Sequence, residues 1–162
     1  RVVTSAQMRQ IEEASLHHDL TFQRLMENAG SAAAAFLRRT FKIQDRNCII
    51  FCARGNNGGD GLQAAAAFQA AGYATSVHWL GDPQRCSSDT HAAWQAAQQA
   101  GVRFLDSAPP ALDAQDLAVD ALLGIGASTR HLPPNVGPWS RKREKGVGRP
   151  QRGGASSSRA LR

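Results

Sequence analysis

No stretch of about 18 apolar residues occurs in the 162-residue chain, so the sequence offers no membrane-spanning helix. The opening residues RVVTSAQMRQIEE lack the apolar centre of a secretory signal. The chain starts at Arg1 rather than Met, which leaves a leader upstream open. Cysteine is scarce: Cys48, Cys52 and Cys86 form no CxxC pair and no metal-binding spacing. Cys48 and Cys52 fall in an apolar run and read as small core residues in a reducing compartment. His17, His18, His78, His91 and His131 show no ligand spacing either. Net positive charge is missing from most of the chain despite an overall charge of +6. Residues 1–140 hold 11 basic and 12 acidic side chains, whereas residues 141–162 hold 8 basic and one acidic. With a near-neutral body there is no basic face, so nucleic acid is not an expected partner, and RKREK (141–145) reads as a solvated run.

What is present is alternation. Residues 5–18 read as a helix capped by Ser5, with Met8, Ile11 and Ala14 on its apolar side. Thr21 caps a second helix with apolar residues at Phe22, Leu25, Met26, Ala29, Ala33, Phe36 and Leu37. NCIIFCA (47–53) is a short continuous apolar run, as in a strand covered on both faces. Residues 61–72 and 89–101 read as helices stopped by Gly72 and Gly101. Residues 74–80, 102–105 and 116–126 read as further strands, with a connector at 108–115. Trp79 and Trp94 read as core residues. Strands alternating with helices of this length predict βαβ units and a parallel sheet, hence an α/β fold with its ligand at the carboxyl ends of the strands.

The segment RGNNGGDG (54–61) is overbuilt for a turn. Glycine and asparagine tolerate positive φ, and Asp60 suits a helix cap, so local geometry is one reading. The other is chemical. Bare N–H groups at a helix N-terminus attract an anion, and glycines let a phosphate approach. The two amides and the carboxylate also offer oxygen atoms to a hard cation. The order is neither a Walker loop, which needs a following Lys-Ser/Thr, nor GxGxxG. Asp120 ends the strand LAVD just before the glycine turn 124–126. Both turns follow strands, so they are expected to share one crevice.

LMENAG (25–30), GNNGGDG (55–61) and VDALLGIG (119–126) resemble, in order and spacing, the YjeF N-terminal domain family of NAD(P)H-hydrate epimerases. The apolipoprotein A-I-binding protein of animals is related to that family. The resemblance covers about residues 3–128. It implies a Rossmann-like three-layer α/β/α sandwich with a mainly parallel sheet. It implies interconversion of the R and S forms of hydrated NADH and NADPH, a nicotinamide nucleotide repair reaction. Asn56, Asn57, Gly58, Gly59 and Asp60 would then line the nucleotide. Gly124, Ile125, Gly126, Ala127, Ser128, Thr129 and Arg130 would cover its phosphates. Asn57 and Asp120 would ligate K+. Implied partners are the hydrated nucleotides, a second copy of the chain and a dehydratase, fused or separate. The compartment is left between cytoplasm and mitochondrion.

Two departures from the family pattern stand out. Arg54 occupies the middle of a segment that usually reads GPGNNGGDG. After Gly126 no VDIPSG-like strand follows, and that strand carries the reacting Asp, so the catalytic residue is unassigned. The sheet therefore reads as truncated within an incomplete nucleotide-binding domain at 1–130. Residues 131–162, rich in Arg, Gly and Ser, read as a disordered tail from a frame change or splice variant. The alternative function is a non-catalytic nucleotide-binding or protein-interaction remnant of the same fold.

Overall fold

A computed structural model of the chain describes residues 3–18, 20–41, 46–107, 112–113 and 116–124. Helix α1 spans Ser5–Leu16 and α2 spans Phe22–Thr40; strand β1 is Cys48–Ala53, followed by α3, Asn56–Ala70. Then come β2 (Thr75–Leu80), a short 3-10 turn (Pro83–Arg85), α4 (Ser88–Gln99), β3 (Arg103–Leu105) and β4 (Leu117–Ala121). The strands form one parallel sheet in the order β3-β2-β1-β4. The direction of strand addition reverses between β1 and β4, which makes that seam the switch point where open α/β sheets bind ligands.

Right-handed crossovers place the helices. The steps β1-α3-β2 and β2-α4-β3 move the same way across the sheet, so α3 and α4 cover the same face. Met26 and Ala34 of α2 join Leu62, Ala65 and Phe68 of α3 and Ala93 and Ala97 of α4 over Cys48, Ile50, Cys52, Val77 and Ala121. The step from β3 to β4 runs back the other way and must cross the opposite face. Leu112 from that connector packs there with Ile49, Phe51, Leu122, Leu80 and Leu105. Among the described residues the helical layer covers one face only; the expected second helical layer and the 131–162 tail lie outside them.

Several local expectations are met. Thr21 caps α2, with its hydroxyl accepting from Arg24 N–H at 3.1 Å. Gly72 and Gly101 end their helices with φ of 84° and 82°. Trp94 stacks on Phe104 at 4.1 Å and meets the edge of Trp79, filling the space between α4 and the sheet. Burial pushes the Cys48 thiol up to about 12, and Cys52 higher still, so both are packing groups and not nucleophiles.

Others need correction. Thr4, not Ser5, caps α1, in a reciprocal box with Gln7. No residue of α1 is buried, and Met8 and Ile11 of its apolar side are exposed. On α2 the buried positions are Met26, Gly30 and Ala34, while Phe22 and Phe36 face out. At Gly30 the helix lies too close to α3 for any side chain, while Met26, one turn earlier, packs against Gly59 of α3. A Cβ on Gly30 would come within 2.5 Å of Gln63 Cβ and 2.7 Å of the Ala64 backbone nitrogen.

Candidate functional site

β1 carries the chain to the carboxyl edge of the sheet at Ala53, and α3 starts three residues later. Most of the glycine segment is therefore helix, not loop. Asn56, Asn57, Gly58, Gly59 and Asp60 form the first turns of α3, and the N-cap is Gly55. Asp60 is not a cap.

That first turn is chemically unlike its counterparts. Thr4, Thr21 and Ser87 each cap their helix with a side-chain oxygen. Gly55 supplies none, and no acidic residue occupies the first turn of α3. The first bond of the helix is Gly59 N–H to Gly55 carbonyl at 3.1 Å, so the N–H groups of Asn56, Asn57 and Gly58 precede the ladder. The positive end of the helix dipole thus lies at the carboxyl edge of the sheet with no side-chain cap from Gly55.

The glycines are there for space. None of them has positive φ; among the described residues only Gly72, Gly81 and Gly101 do. A Cβ on Gly58 would run into the carbonyl oxygen of Ala53, and one on Gly59 into the Met26 sulfur. One on Gly61 would meet Ala121 Cβ at 2.5 Å and Cys52 Sγ at 2.8 Å. Gly58 thus presses α3 onto the end of β1, and Gly61 seats it over the seam between β1 and β4. Met26 and Gly30, both within LMENAG, let α2 lie against the same two turns. From the sequence, Met26 reads as an apolar helix position and the small residues 28–36 as allowing close helix–sheet packing. Their contact with the glycine segment of α3 was not foreseen, and their place in a motif far from the loop was the available signal.

Across the seam, Asp120 pairs in register with Phe51. Its Oδ1 accepts from Leu122 N–H at 3.0 Å, turning the chain as it leaves β4. Asn57 Nδ2 donates to the Leu123 carbonyl at 3.3 Å. A Cβ on Gly124 would sit 3.2 Å from Asn57 Cβ. Asn57 and Asp120 thus each hydrogen-bond to the turn after β4, at Leu123 and Leu122, and Gly124 lies against Asn57. Ile125, Gly126, Ala127, Ser128, Thr129 and Arg130 lie outside the described residues. Arg54 is exposed beside the Gly55 cap.

Asp60 is different again. Burial, with the charge of Glu12 on α1 adding to it, pushes its carboxyl up to about 6. The folded state then favours the neutral acid. Its favourable contribution is complete below about pH 4 and is lost as pH rises through 6. Asp60→Asn should therefore raise the melting temperature at pH 8 and have little effect at pH 4. Allowing for solvent screening of this half-buried group, the difference is about 1 kcal/mol. Melting curves of both chains in K+-free buffer from pH 4 to 8 test this, and parallel curves would contradict it.

Chemically, the site combines N–H donors for an anion with amide and carboxylate oxygens for a hard cation. Asn57 and Asp120 fit K+ in donor type, since both are oxygen donors and both reach the same turn. Among the described residues there is no cluster of three His, Cys, Asp or Glu side chains, the set a transition metal would use.

An open parallel α/β sheet whose strand order reverses at β1–β4 defines a Rossmann-like α/β architecture. Residues 22–138 match the model of the family described as YjeF-related protein N-terminus. The chain belongs to that family. Among similar proteins, the NAD(P)H-hydrate epimerase of Rhodobacter capsulatus is 30% identical over 132 residues, covering 77% of this chain and 62% of that protein. The NAD(P)H-hydrate epimerase of Bordetella pertussis (strain CS) is 35% identical over 133 residues, covering 82% of this chain and 54% of that one. The bifunctional NAD(P)H-hydrate repair enzyme Nnr of Moorella thermoacetica is 34% identical over 136 residues, covering 77% and 26%. The chain thus spans between 26% and 62% of the length of these three relatives. The crystal structure of yeast ynu0 superposes with a TM-score of 0.76 at 23% identity, covering 89% of this chain and 65% of that one; it shares the fold.

Proposed function

We propose that this chain carries the nucleotide-binding part of an NAD(P)H-hydrate epimerase, an isomerase of nicotinamide nucleotide repair. The observation that supports it most is that Asn57 and Asp120 both bond to the turn after β4, at Leu123 and Leu122, with Asn57 in the first turn of α3, whose N-cap Gly55 offers no side chain. Relatives bearing the epimerase name match this same region. In this reading the N–H groups of Asn56, Asn57 and Gly58 receive phosphate, and the residues after Gly124 close over it. Asn57 and Asp120 hold K+, which when bound supplies positive charge beside the nucleotide. Expected partners are hydrated NADH or NADPH, a second copy of the chain and a dehydratase. The compartment is cytoplasm or mitochondrion.

A second reading is a nucleotide-binding module without catalysis. It is favoured by one observation: no VDIPSG-like segment follows Gly126 in the sequence. Proton transfer at the hydrated ring carbon needs a positioned acid or base, and the described site assigns none.

One assay separates them. The purified chain is incubated with the R form of hydrated NADPH in KCl or choline chloride, and the S form is followed by chromatography. Binding is measured in parallel by calorimetry. The epimerase reading expects K+-dependent interconversion above the uncatalysed control. Binding without interconversion selects the second reading, and the absence of both removes the two together.

A further inference from the structure

We infer that Asn57 is a positioning residue, whose side chain holds the turn after β4 in place across the switch point before any ligand arrives. Its Nδ2 donates to the Leu123 carbonyl, and its Cβ lies where a Gly124 side chain would crowd it. From the other strand end, the Asp120 carboxylate takes the Leu122 N–H. Leu122, Leu123 and Gly124 are thus held from both sides of the seam. The hold is stiff because its base is stiff: Gly58 against Ala53 and Gly61 against Ala121 leave α3 no room to slide.

The geometry also orients the amide. With Nδ2 committed to Leu123, the Asn57 oxygen is directed away from that carbonyl, and a flipped amide would set two oxygens against each other. One side chain therefore couples the helix N-terminus to the second turn. That this turn is half of a nucleotide crevice rests on the proposed function; the tie itself does not.

The test substitution is Asn57→Asp. It keeps the size and an oxygen for a hard cation, but opposes a carboxylate to the Leu123 carbonyl. It should fold, because an acidic residue in the first turn of a helix is favourable and α3 has none there. Asn57→Ala removes the tie without repulsion and serves as the second variant. Hydrogen exchange is measured on the ligand-free full chain, with melting temperature as the control for folding.

If the tie holds the turn, exchange at Leu122 N–H rises about threefold to tenfold in both variants, while amides of the β1 core stay unchanged. If Asn57 acts only as a ligand, exchange at Leu122 stays at the wild-type rate in both, and the inference fails. Affinity of the wild-type chain for hydrated NADPH is read separately. Its absence would overturn the crevice reading while leaving the exchange result to decide the tie.

Discussion

Gly58→Ala should destabilise the chain by ~3 kcal/mol or more, the upper range for overpacking a site that cannot yield. Helix propensity alone argues the other way, since replacing a helical glycine by alanine is worth about 1 kcal/mol in its favour. The conflict is settled by what the new methyl group meets. It would overlap the Ala53 carbonyl oxygen, a backbone atom in a strand hydrogen-bonded on both sides. Neither the strand nor the helix can move, because Gly61 is already in contact with Ala121 and Cys52. Domains are stable by only about 5–15 kcal/mol, so the loss is a large part of the total. Gly55→Ala is the control. Nothing lies within 4 Å of its Cβ position and its φ of −84° suits any residue, so the change should stay within about 1 kcal/mol. Urea unfolding of the two variants beside wild type compares them directly. Equal midpoints would refute the packing account of the motif.

Under the proposed function, Asp120→Ala should abolish the response of nucleotide binding to K+ and weaken binding on the order of 10- to 100-fold. The substitution removes both a negative charge at the end of β4 and the acceptor for Leu122 N–H. Asp120→Asn separates them, since its amide oxygen still accepts from Leu122 while the charge is gone. Both variants should lose the K+ response, but only the alanine variant should loosen the turn. Asp120 is exposed, so stability should change by no more than about 1 kcal/mol in either, and a binding loss is not a folding loss. Calorimetric titration with hydrated NADPH, in KCl and in choline chloride, reads the effect. A K+ response in Asp120→Ala equal to wild type would remove Asp120 from the ion site.

Both expectations begin with residues visible in the sequence, but the reasons differ in origin. The parallel sheet was legible because continuous apolar runs such as CIIFCA alternate with helix-length segments ended by Gly72 and Gly101. The Thr21 cap and the pairing of two glycine turns at strand ends were legible for the same reason: they depend on local pattern and chain order. The importance of NNGGDG was legible from composition. Its cause was not, because turn chemistry and close packing call for the same residue, and only the third dimension separates them.

The sequence by itself determined the α/β class, the order of elements and the glycine-rich segments that follow β1 and β4, since each follows from short-range periodicity and chain order. The tertiary structure decided what those residues do. It showed that Gly58 and Gly61 are small so that α3 can lie on the β1–β4 seam, and that Met26 and Gly30 of α2 pack against the start of α3. It also placed the Asn57 amide on Leu123, residues 66 positions apart in the chain. Contacts of that kind arise when strand order reverses at the centre of a sheet and two distant strand ends become neighbours, which no local pattern encodes.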